Sequence, residues 1–317
     1  MRITSVLCVL LGLTVLGCQK KPAEQSGSKT ATGAPTLEEL KNTEYTGFEE
    51  VSRTVHLSGG AWEGAPYDSR SEVRPHVIYV KDMRLEGDLD GNGSPEAVAF
   101  LAFASGGSGD LLHIVVLDRR QGAVMQRANA IVGDRVQIRG ARIEGANIVL
   151  DLVEAAPGDP ACCPAELVTR RWQLEGDSLV ERPSGIPHTR LSPEATDGVD
   201  WKLKEWNLGE PAPEDPTVTL IYTAGRWSGN SGCNRYAASV SSGENPGDVI
   251  VGPSFGTRMA CEPTAAAMER RFLTQLGATK RIGFYAGRLA LTYAMDDSLG
   301  TMLFEPAPAA PDTTARP

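Results

Sequence analysis

The chain has 317 residues, 40 of them acidic and 31 basic, for a net charge of −9. That balance, with no block of lysine or arginine, disfavours nucleic acid as a partner and any adhesion to anionic lipid through a polybasic patch. Hydrophobic residues make up 41 %, ordinary for a globular protein, and 34 glycines with 21 prolines point to many turns and short strands.

The N-terminus begins with one basic residue, Arg2, followed by an apolar run from about Val6 to Leu16 and then Gly17 and Cys18. The run is too short to cross a bilayer, which takes about 20 apolar residues, and its order is that of a cleaved export signal. Val15, Leu16, Gly17 and Cys18 resemble the bacterial lipobox. The resemblance implies cleavage after residue 17 and lipidation of Cys18, so that the mature chain sits on a membrane through its acyl chains without spanning it. Gln19, where an aspartate would retain such a protein at the inner membrane, points to the outer membrane in an organism that has one. Residues 18–43 lack large apolar groups over most of their length and read as a flexible tether. Residues 307–317 read as a disordered tail on the same grounds.

The fold class expected in between is mainly β, or α+β, in two domains. Over residues 44–182 apolar residues recur with period two in the runs starting at His76, Ala97, Leu112, Val136, Asn147 and Val168. Each run is bounded by glycine, aspartate, asparagine or proline, which predicts consecutive antiparallel strands. Residues 183–200 carry prolines and little periodicity and read as a linker. Trp201 then opens a second β-rich domain, 201–306, with short strands and one helix. Ala265, Met268, Phe272 and Leu276 recur at helical spacing, with Pro263 near the first turn and Gly277 past the end. The stripe is that of a core-facing helix.

Two stretches carry chemistry. In the first, Asp88, Asp90 and Asn92 alternate through a glycine-bearing turn and Glu96 follows at the ninth place. Those three side chains, Glu96 and the backbone carbonyl of Ser94 form a calcium candidate, because a hard cation takes oxygen ligands at alternate positions of a turn. Position twelve is Ala99, so the loop is not an EF-hand. It resembles the calcium-binding hairpin of FG-GAP repeats over about ten residues. The alternative is a plain Asp-Gly/Asn-Gly hairpin without an ion.

The second is the cysteine set. With Cys8 in the signal and Cys18 lipidated, Cys162, Cys163, Cys233 and Cys261 remain. In an oxidising compartment an even number of thiols is read first as cross-links. The cleanest pairing joins Cys233 to Cys261, leaving Cys162 and Cys163 to close a bridge that fixes a proline-bracketed loop. Free thiols remain the alternative for the first pair, and a thiol-redox role for Cys162 and Cys163. A catalytic Cys233 would want an imidazole nearby, yet His56, His76, His113 and His188 all precede the second domain.

Gly232-Cys233-Asn234-Arg235-Tyr236, then Thr257-Arg258-Met259-Ala260-Cys261, Met268-Glu269 and a closing Gly287-Arg-Leu-x-Leu, resemble the META domain of HslJ-like proteins. Gly256 departs from the second threonine often found there. The resemblance covers about a third of the chain. It implies a small β-rich fold with one helix, in exported or membrane-tethered bacterial proteins connected with envelope stress or antibiotic tolerance, and it brings no catalytic residues. Asn234 and Arg235 are binding candidates, against the reading that they only shape a turn. The expectation is therefore a non-enzymatic, membrane-anchored envelope lipoprotein, with a calcium-dependent binding module as the alternative and envelope proteins as partners.

Overall fold

The computed structural model describes residues 33–48, 54–67, 70, 72–107, 109–160, 163–296 and 298–307. Cys18, Cys162 and the tail from 308 lie outside the described residues. No helix among the described residues is long and apolar enough to cross a membrane.

Order begins earlier than the expected tether boundary. A one-turn helix, α1 (Leu37–Leu40), is started by Thr36. Its hydroxyl accepts the Glu39 N–H at 3.3 Å, while the Glu39 carboxylate accepts the Thr36 N–H at 2.8 Å, the reciprocal capping box. Arg119 pairs with Glu39 at 2.6 Å and holds its carboxyl at about 2. Ala34 and Leu40 are buried, so residues 33–43 belong to the folded body. The short antiparallel pair β1 (Glu44–Tyr45) and β2 (Val55–His56) continues this cover.

A five-stranded antiparallel sheet follows in sequence order: β3 (Ala61–Glu63), β4 (His76–Gly87), β5 (Glu96–Ala104), β6 (Leu111–Arg120) and β7 (Ala123–Asp134). A second sheet contains β8 (Gln137–Glu144), β9 (Asn147–Glu154), β10 (Glu166–Glu175) and β11 (Ser178–Arg182), with β12 (Thr189–Arg190) also pairing β10. Side-chain alternation sorts β5 and β6 between two cores. Val98, Phe100, Ile114 and Val116 pack with Ile148, Leu150 and Trp172 of the second sheet. Ala97, Ala99, Leu101 and Val115 pack with Leu40, Tyr45, Phe48 and Val55 of the N-terminal cover. Strands buried on both faces read as unbroken apolar runs, as Ala97–Phe103 does.

Residues 183–200, expected as a linker, are partly built into the core. Leu191, Ala195 and Thr196 are buried, the last two in the 3-10 turn Pro193–Thr196. The Thr196 carbonyl accepts the Trp201 indole N–H at 3.0 Å and its hydroxyl accepts that of Trp227 at 3.1 Å. Prolines set the turn without exposing it, because its apolar side chains have the second core to enter.

The second half contains β13 (Trp201–Asn207), β14 (Glu210–Pro211), β15 (Thr219–Tyr222), β16 (Arg226–Asn230), β17 (Arg235–Ser242), β18 (Val249–Val251), β19 (Phe255–Gly256), α2 (Pro263–Gly277), β20 (Thr279–Tyr285), β21 (Arg288–Met295) and β22 (Ser298–Pro306). The sheet runs β18-β17-β16-β15-β13-β22-β21-β20, with β14 on β13 and β19 on β17. Its two ends meet through the Asp248–Arg281 bridge and an Ile282 N–H to Gly247 carbonyl bond of 2.8 Å, so the sheet curls back on itself. Met268, Phe272 and Leu276 of α2 enter its core beside Trp201, Trp227 and Tyr236. Phe272 sits edge-on to Tyr236 at 5.0 Å. The two halves touch where the Phe284 N–H meets Gln137 Oε1 at 2.8 Å, the Gly287 N–H meets the Ile138 carbonyl at 2.9 Å, and Arg139 donates to the Ala195 carbonyl at 3.0 Å.

Candidate functional site

The β4–β5 turn folds the acidic residues onto one another. Gly91 and Gly93 take φ of +76° and +86°, a region closed to most side chains, and so reverse the chain. Asp88 then accepts the backbone N–H groups of Gly91, Asn92 and Gly93 at 2.8 to 3.1 Å. Asp90 accepts the Asn92 N–H at 3.1 Å, and Asn92 Oδ1 accepts the Ser94 N–H at 2.7 Å. Glu96, 1 % exposed, reaches back to accept the Leu89 N–H at 2.7 Å. One ligand atom each from Asp88, Asp90 and Glu96 lies within 4.8 Å of the others. Two oxygens each about 2.4 Å from one calcium ion stand at most about 4.8 Å apart, so the spacing of the three carboxylates meets the first condition for sharing an ion. Burial pushes the Glu96 carboxyl up, with Asp90 and Asp88 adding to the rise, while the Leu89 N–H and Arg127 oppose it.

Arg127 on β7 was not signalled by the motif. Its guanidinium spans Asp90 at 3.2 Å, Asp118 at 3.1 Å and Asp177 of the β10–β11 turn at 2.9 Å. It therefore supplies positive charge at the rim of the acidic turn and ties that turn to both sheets. Only the fold brings β7 alongside, so no local spacing reveals it.

The second candidate region is the β16–β17 turn. Cys233 and Cys261, 28 residues apart in sequence, are joined with their Cα atoms 6.0 Å apart. Gly232 has φ of +97°, and a Cβ there would meet Met268 Sδ at 2.8 Å. Asn234, 5 % exposed, is spent inside the fold. Its Oδ1 accepts from the Thr257 hydroxyl and the Met259 N–H, both at 2.8 Å, while its Nδ2 donates to Glu269 at 3.2 Å and to the Met259 carbonyl at 3.4 Å. Glu269 also accepts from the Ser231 hydroxyl and the Asn234 N–H. The helix, the turn and the Thr257–Cys261 segment thus meet at one amide and one carboxylate. Arg235 differs: it is exposed, and only its backbone joins the network, through Thr257.

Cys163 lies in the β9–β10 connection, where its N–H donates to the Pro160 carbonyl at 2.9 Å and its sulfur is hydrogen-bonded to Arg281 of the second half. The expected pairing with Cys162 falls outside the described residues.

Residues 194–305 match the META domain family. Comparison with curated proteins and with solved structures gives no match for the chain.

Proposed function

We propose that this chain, with a META domain over residues 194–305, is a non-enzymatic envelope lipoprotein held on a membrane through Cys18 and serving envelope stress resistance or antibiotic tolerance. The observation that carries the reading is the cross-link between Cys233 and Cys261, which belongs in an oxidising, exported compartment. It also takes the cysteine of the domain's most distinctive turn out of nucleophilic chemistry, and Asn234 beside it is committed to holding Thr257, Met259 and Glu269 in place. Gln19 supports placement at the outer membrane in an organism that has one. Radioactive palmitate fed to the native host tests the anchor. Label on the wild-type chain and none on Cys18→Ser, with the variant released into the soluble envelope fraction, is the expected result. An unlabelled wild-type chain in the cytoplasmic fraction would overturn it.

The acidic turn supports a second reading, a calcium-dependent binding module, because Asp88, Asp90 and Glu96 already converge within 4.8 Å. Asn92 and the Ser94 carbonyl would complete the oxygen set. Bound calcium would offset both the burial and the Asp90 and Asp88 charges that raise Glu96 and so stiffen the joint between β4 and β5. A calcium-induced rise in melting temperature, reversed by chelator, supports it; no shift at millimolar calcium removes it.

A further inference from the structure

Most described arginines answer a carboxylate, as Arg127, Arg170 and Arg271 do. Three that have no such partner among the described residues, Arg226, Arg235 and Arg258, are gathered around the β16–β17–β19 surface. Strand register explains the grouping. Ile221, Ser228, Ala237 and Phe255 stand in one row across β15, β16, β17 and β19. Arg226 and Arg235 belong to the flanking rows, opposite Ser239 and Asn230. Phe255 is 61 % exposed with the Arg226 guanidinium 5.6 Å over its ring. Beside it opens a groove of about 310 Å³ whose lining includes Arg235, Phe255, Thr257, Arg258 and Glu269. Glu269 forms no ion pair with these arginines; its oxygens are turned to Ser231 and Asn234. Met259, 63 % exposed, follows on the same segment.

We infer that this surface docks an acidic segment of a partner protein that also carries apolar side chains. Arginine, aromatic residues and methionine are the types enriched at protein interfaces, and arginine's planar fork suits carboxylates. Charge selects the partner: on a chain of net charge −9, three guanidinium groups without an ion-pair partner among the described residues outnumber the one carboxylate of the groove, Glu269, and attract carboxylates locally. The segment that presents Phe255 and Met259 is also held in advance, by the Cys233–Cys261 link behind it and by the Asn234 bonds to Thr257 and Met259. A pre-ordered segment loses little entropy on docking, and the fold has no internal use for two large apolar side chains pointing outward from it. The inference is independent of the lipid anchor, because Cys18 takes no part in it.

The test uses the full chain, its Cys18→Ser form, and a fluorescein-labelled peptide in which glutamates are interspersed with phenylalanine and serine. Saturable binding that weakens as salt rises is expected. Arg235→Glu combined with Arg258→Glu reduces affinity by more than about tenfold, and Phe255→Ser, which keeps all three charges, by about fivefold or more. Both variants should melt as the wild type does, since the residues changed are exposed. Absence of saturable binding, or binding untouched by either variant, would overturn the inference. So would equal or tighter binding of polyphosphate or of phosphatidylglycerol vesicles, which would assign the face to phosphate groups, or concentration-dependent self-association lost in the variants, which would assign it to a second copy.

Discussion

Replacing Cys233 and Cys261 together by serine removes the cross-link between the β16–β17 turn and the segment ahead of α2. With the cysteines 28 positions apart in sequence, the loop-entropy relation gives about 12 cal/mol/K, or about 3.6 kcal/mol at room temperature. That relation places the whole effect in the unfolded chain. The structure offers a way to check it, because Asn234 joins the same two segments non-covalently through Thr257 and Met259. Asn234→Ala removes these bonds and leaves Glu269 one donor short, at a cost of about 2–3 kcal/mol, since Thr257 and Met259 are exposed enough to regain water. If the bridge acts on the unfolded chain alone, the triple variant loses the sum of the two effects. Urea unfolding followed by the fluorescence of Trp201 and Trp227, both buried in the core that α2 completes, measures all four corners of the cycle. A loss below about 1 kcal/mol for the double cysteine variant would refute the reasoning. A coupling well above about 0.5 kcal/mol would move the effect from the unfolded to the folded state.

Three further outcomes are expected. Glu96 is raised by burial and by Asp90 and Asp88, so its protonated form stabilises the fold at low pH, and that contribution is lost as pH rises through the raised value. At neutral pH without calcium, Glu96→Gln should melt higher than the wild type while keeping an acceptor for the Leu89 N–H. If the turn binds calcium as in the second reading above, Glu96→Gln should also abolish the calcium-induced stabilisation, which at a hundredfold excess over Kd would be about 2.7 kcal/mol. Glu39 has the opposite sign. Lowered to about 2 chiefly by its bond to Arg119, it stabilises above its ordinary range and loses that effect as pH falls from about 4.5 towards 2, so Glu39→Gln should flatten the acid limb of a melting-temperature profile over that interval. Gly232→Ala combines a φ of +97° with a Cβ 2.8 Å from Met268 Sδ and should cost about 1–3 kcal/mol of stability in urea titration.

Strands were legible where apolar spacing was undisturbed. Asn147–Glu154 and Glu166–Glu175 read directly as period-two runs, and α2 was fixed by Met268, Phe272 and Leu276 between Pro263 and Gly277. β7 was missed because it carries Gln126, Arg127 and Asn129 among its small apolar residues and shifts register twice against β6. The N-terminal cover was missed for a different reason. It buries Tyr45, Phe48 and Val55 one at a time from short irregular pieces, and no periodicity marks such a layer. The run at Ala97–Phe103, read from the sequence as period two, is apolar at every position, and that continuity, not alternation, is what a strand covered on both faces shows. In the acidic turn the converging carboxylates were readable from their spacing, whereas Arg127, Asp118 and Asp177 come from three other places in the chain and only the sandwich brings them there.

The residues that make the META domain recognisable are for the most part those that hold it together. Asn234, Glu269, Thr257 and the two cysteines meet in one network, and each has its bonding capacity used within it. A network of that kind fixes a surface without being one: it sets where the neighbouring outward side chains stand. Arg235 follows Asn234 directly, Arg258 lies between Thr257 and Met259, and Phe255 pairs through β19 with the strand that Arg235 begins. Variation at Arg235, Phe255 and Arg258 should therefore change what the protein binds and leave melting unaltered, while variation at Asn234 or Glu269 should lower melting first and alter binding only through it. Measuring both properties on the same variants separates the frame from the surface it carries; an Arg235→Glu chain that unfolds as readily as Asn234→Ala would show that the division is false.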